Sequence, residues 1–77
     1  MQIKVYSSNQ EPYSEMLRNI LKFNNVEFEN LDIKDPKNKA EMLNKTGGQD
    51  TTPVLEVDGK IFIGFDREKI REVLGLK

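Results

Sequence analysis

Apolar residues follow two rhythms along this chain, and the changes of rhythm mark its elements. Gln2-Ile3-Lys4-Val5-Tyr6 alternates, with β-branched and aromatic members, and predicts a strand that the polar run Ser7-Ser8-Asn9-Gln10 ends. Pro12 suits the first position of a helix, where its missing N–H does no harm. From there Tyr13, Met16, Leu17, Ile20 and Leu21 recur at the spacing of one helical face, up to a stop at Asn24-Asn25. Residues 26–33 return to an extended pattern through Val26, Phe28, Leu31 and Ile33, with a slip of phase near Asn30 that predicts an irregularity or bulge.

The second half repeats these devices. Asp35-Pro36 is a helix start, with an acceptor side chain at the cap followed by proline, and Ala40, Met42 and Leu43 give that helix a narrow apolar stripe. Thr46-Gly47-Gly48 stops it, because glycine takes the left-handed conformation at little strain. Pro53–Val57, Asp58-Gly59 and Lys60–Ile63 form a hairpin, since Asp-Gly fits the tight turn between antiparallel strands. Asp66 caps a last helix carrying Ile70, Val73 and Leu74. The order is β-α-β-α-β-β-α, an α/β arrangement whose first strand-helix-strand unit should be a right-handed parallel crossover and whose hairpin makes the sheet mixed. In such open sheets ligands bind beyond the carboxyl ends of the parallel strands, which here means Ser7 to Tyr13.

Seventy-seven residues, 1–77, make one domain near the lower size limit for a single apolar core. The chain has no cysteine and no histidine. It therefore has no disulfide, thiol redox couple or thiolate ligand, and no metal site is expected, because any such site would rest on oxygen donors alone. Twelve basic residues nearly balance thirteen acidic ones, so no basic field draws nucleic acid. No secretory leader and no long apolar span is visible, which makes a cytoplasmic protein without membrane contact the expectation.

Three segments together carry a resemblance. They are Tyr6 to Ser14 with Pro12-Tyr13, Thr51-Thr52-Pro53-Val54, and Val57-Asp58-Gly59-Lys60 leading into Gly64-Phe65-Asp66. In this order and spacing the chain resembles a glutaredoxin, of the small size class that includes the redoxins of ribonucleotide reductase. The likeness implies a thioredoxin fold of glutaredoxin type, a four-stranded mixed sheet flanked by helices, with a cis peptide bond at Pro53. It also implies descent from a glutathione-dependent thiol-disulfide oxidoreductase. The family's loop reads Cys-Pro-Tyr-Cys or Cys-Pro-Tyr-Ser, and here its outer positions are Glu11 and Ser14.

A carboxylate cannot form a mixed disulfide and Ser14 cannot resolve one, so no catalytic residue is assigned and no thiol-disulfide activity is expected of the chain as written. Glu11 has two compatible roles, as a cap on the free amides of the helix start and as occupant of the pocket a thiolate or ligand acid would use. The resemblance implies ligand contacts at Tyr13, Thr52, Pro53, Phe65 and Asp66, with the Thr52 main chain pairing to a peptide like an added strand and the amides of Phe65, Asp66 and Arg67 facing a carboxylate. The lysine, and the arginine or glutamine, that the family often places beside its ligand are replaced by Ser8 and Asp50, and Glu11 adds negative charge, so no cofactor is expected and glutathione should bind weakly at best. Lys4, Lys60 and Arg67 are the candidates to compensate. Gly64 fits a tight strand-to-helix turn, while Tyr13 and Phe65 fit either the core or an exposed apolar lip. The reading is a redox-inactive, monomeric module that binds a peptide or protein at the cis-Pro groove; the alternatives are an electron carrier by descent and a structural dimer formed through the outer strand or the vacant groove.

Overall fold

The computed structural model describes residues 1–76. Its elements are β1 (Ile3–Ser7), α1 (Pro12–Phe23), β2 (Glu29–Asp32), α2 (Pro36–Thr46), β3 (Val54–Val57), β4 (Lys60–Ile63) and α3 (Arg67–Leu74). They build one four-stranded sheet in the order β2-β1-β3-β4, with β1 parallel to β2 and antiparallel to β3, and β3 antiparallel to β4. This is the mixed sheet and element order that the sequence predicts.

Alternation along the strands divides the apolar residues between two cores. Ile3 and Val5 of β1 and Leu55 and Val57 of β3 point to one face, where Leu17 and Leu21 of α1 and Ile70 and Leu74 of α3 cover them. Tyr6 and Val54 point to the other, where Met42 of α2 covers them. Every residue of β3 is buried, as a strand covered on both faces requires.

Three expectations about local structure need correction. The segment 26–33 contains no bulge: β2 pairs with β1 in unbroken register from Lys4↔Glu29 to Ser7↔Asp32. The apparent slip is a change of face, because Phe28 packs on the α1/α3 core while Leu31 and Ile33 pack on the α2 core. Val26 lies outside the strand, its N–H donating to the Leu21 carbonyl at the end of α1. In α2, Ala40 is exposed and contributes nothing to the stripe, being two residues, or roughly 200° around the helix, from buried Met42. In α1, only Leu17 and Leu21 of the predicted apolar set are buried, beside Ser14; Met16 and Ile20 are half-buried and Tyr13 is exposed.

The helix caps follow their sequence signals. Asp35 accepts from the Lys37 N–H and Asp66 from the Lys69 N–H. Asp58 and Gly59 both have positive φ, 49° and 88°, which is the tight hairpin turn that joins β3 to β4. No helix among the described residues is long and apolar enough to cross a membrane.

Candidate functional site

The site is assembled from three segments at the carboxyl end of β1. The Thr52–Pro53 peptide bond is cis. The Pro53 carbonyl accepts from the Gly64 N–H at 2.9 Å, which fastens the Pro53 loop to the turn between β4 and α3. Gly64 makes that turn with φ +87°, a conformation other residues adopt only under strain. The turn sets Phe65 beside the loop, and the Tyr13 ring from the first turn of α1 stacks on Phe65 with centroids 5.5 Å apart and planes 23° from parallel. Both readings of Phe65 therefore hold at once: it is half-buried against the α1/α3 core and forms the inner member of an aromatic pair. Tyr13, 54% exposed, is the outer member.

Glu11 occupies the start of α1. Its backbone is extended, and its side chain turns back so that Oε1 accepts from the Tyr13 N–H and Oε2 from the Ser14 N–H, both at 2.9 Å. Ser14 is fully buried; its hydroxyl donates to Glu11 Oε2 at 3.3 Å and accepts from the Ser8 N–H at 3.2 Å. The hydroxyl thus pins the loop to the helix it precedes. Two amides and a hydroxyl that together meet both oxygens of one carboxylate make a seat for an anion, and the chain fills that seat with its own Glu11.

The remaining predicted contacts sit as follows. Thr52 is half-buried, and neither of its main-chain groups makes a hydrogen bond among the described residues. Asp66 is exposed, and its carboxylate is engaged as the α3 cap. Asp50 lies 3.2 Å from Lys39, so its charge is balanced locally. Ser7 at the end of β1 is buried and donates to Asn30 Oδ1 at 2.7 Å, joining β1 to β2 just below the loop.

Lys4, a candidate to compensate the lost basic contacts, belongs instead to a polar cluster under α2 that sequence reasoning did not assemble. The Tyr6 hydroxyl donates to Glu41 Oε1 at 2.6 Å, and Lys45 Nζ donates to Tyr6 Oη at 3.0 Å, Glu41 Oε1 at 3.1 Å and Glu56 Oε1 at 2.6 Å. Lys4 Nζ stands 3.9 Å from Glu41. These contacts hold the Lys45 ammonium well above the ordinary lysine range, chiefly through Glu56 and then Tyr6. Glu41 is lowered, first by the Tyr6 hydroxyl and then by Lys45. Tyr6 is raised, burial being the main cause. The one signal in the sequence was the Glu41/Lys45 pair at helical i,i+4 spacing.

Residues 3–63 match the family Glutaredoxin. The chain belongs to the glutaredoxin family. This glutaredoxin-family protein is 28% identical over 72 residues to an uncharacterized glutaredoxin-like 8.6 kDa protein in the rubredoxin operon of Clostridium pasteurianum, an alignment covering 94% of the chain and 96% of the relative. A crystal structure of a mutant of the thioredoxin-like protein BC3987 superposes with a TM-score of 0.87 at 31% identity, covering 95% of the chain and 99% of that protein. NrdH-redoxin of Escherichia coli, described as a glutaredoxin-like protein with a thioredoxin-like activity profile, matches with a TM-score of 0.79 at 20% identity, covering 95% of each chain, and so shares the fold. Within that fold the protein differs from the family's chemistry by having no cysteine at all.

Proposed function

We propose that this glutaredoxin-family protein is a redox-inactive module that docks an extended peptide segment of a partner against the cis-Pro53 loop. The observation that carries the reading is the combination of a Thr52 main chain without hydrogen-bond partners among the described residues and the stacked Tyr13–Phe65 pair fixed beside it. An extended segment would add to Thr52 as a strand adds to a sheet edge, and the aromatic pair would give its side chains an apolar wall. The amides that would stabilise a thiolate are engaged by Glu11, and no sulfur is present to exchange with a disulfide.

Glutathione is a poor candidate ligand in this reading, because the anion seat at α1 is filled from within. Two experiments test the proposal. Reduction of a glutathione mixed disulfide should show no turnover above background. Peptides selected from a random library should shift the amides of Thr52 and Phe65 and lose at least tenfold in affinity on Tyr13→Ala. Measurable turnover, or selected peptides whose shifts avoid both residues, overturns it.

A further inference from the structure

A second surface lies between α1 and α3. Besides the Leu17/Leu21 stripe that enters the core, α1 carries a second apolar row of Met16, Ile20 and Phe23, which lines a groove of about 510 Å³ opposite Arg67, Arg71 and Leu76. Phe23 is the most exposed large apolar side chain among the described residues, at 88%. Arg67 and Arg71 are one helical turn apart and so share a face of α3, and neither forms an ion pair among the described residues. Among the described residues the groove is lined by two guanidinium groups and no carboxylate, on a chain whose formal net charge is −1, so its positive character is local.

We propose that this groove docks an acidic amphipathic helix of a partner protein. The row from Met16 to Phe23 is about 10 Å long, two turns at 1.5 Å per residue, which suits apolar anchors one turn apart on an incoming helix. Carboxylates flanking those anchors meet the paired arginines, whose planar forks accept a carboxylate in two hydrogen bonds. The partner helix extends the layer that α1 and α3 already form over the sheet and covers Phe23. The groove uses the Arg67 side chain, whereas the cis-Pro53 reading rests on the Thr52 main chain and the Tyr13–Phe65 pair, none of which lines the groove, so its failure would leave that reading untouched.

The test uses two synthetic alanine-rich helical peptides with the same leucine spacing, one flanked by glutamate and one by lysine, together with dodecanoate as a free carboxylate amphiphile. Fluorescence anisotropy at low salt should show the glutamate peptide binding at least tenfold more tightly than the lysine peptide, with the preference reversed in the Arg67→Glu/Arg71→Glu protein. Phe23→Ala, a change at an exposed position, should weaken the glutamate peptide about tenfold, and amide shifts should cluster at Phe23, Arg71 and Leu76. Equal affinity for the two peptides, no saturable binding up to millimolar concentration, shifts centred on Thr52 and Phe65, or binding of dodecanoate alone would each overturn the proposal.

Discussion

Glu11 joins the loop chemistry to the fold of this protein through one carboxylate. It satisfies two of the donors that a helix start leaves free, and Ser14 locks it by bridging to the Ser8 amide. Glu11→Ala should therefore destabilise the protein by about 1 kcal/mol, within the ~0.5–2 kcal/mol range for lost caps, seen as a lower urea midpoint with unchanged slope. A midpoint equal to that of the parent would mean the two hydrogen bonds contribute nothing. Glu11→Cys places a thiol where the same amides converge, so its pKa should fall below the ordinary value of about 8.5, measurable by thiolate absorbance. The capping role was legible in the sequence, because an acid just before Pro12 at a helix start has few other uses. The Ser14 hydrogen bonds were not, since the partner at Ser8 is brought close only by the loop's own path.

α2 shows how an element can be held to a sheet with few apolar residues. Only Met42 and Thr46 of this helix are buried; half-buried Leu43 packs against the same core, and the Tyr6–Glu41–Lys45–Glu56 cluster supplies polar contacts beside them. Glu41 has a lowered pKa in the folded protein, so its contribution to stability is present above the unfolded value of about 4.5 and is lost as the pH falls through the folded value. Lys45 has a raised pKa, so its contribution is full below about 10.5 and is lost only as the pH rises far above that. The stability gap between the parent and Glu41→Gln should accordingly be constant near neutrality and narrow as the pH falls below about 4.5 in urea titrations. A gap that ignores acid would show that Glu41 is not held by charge. The sequence displayed the Glu41/Lys45 spacing, but only sheet pairing brings Tyr6 and Glu56 beneath it, through the register Tyr6↔Val54 and Lys4↔Glu56.

At the scale of the molecule, a domain this small has little reserve, of the order of 0.05–0.15 kcal/mol per residue. Leu17 is fully buried in the larger core, and Leu17→Ala should cost about 2–5 kcal/mol, a large part of the total, whereas Phe23→Ala should stay within about 0.5 kcal/mol. Circular dichroism melts of the two variants check the contrast, and similar losses would contradict the placement of α1. Periodicity alone could not rank these residues, because Leu17 and Phe23 both belong to apolar rows of one helix. The sequence by itself determined the elements, their order, the caps, the hairpin turn and the absence of thiol chemistry, because each depends on neighbours along the chain or on composition. Tertiary structure decided which α1 row enters the core, which face of β2 each apolar residue takes, the stacking of Tyr13 on Phe65, and the pairing of Lys45 with Glu56. Those contacts join residues distant in sequence, and only the sheet register and the seating of the helices on it bring them within reach.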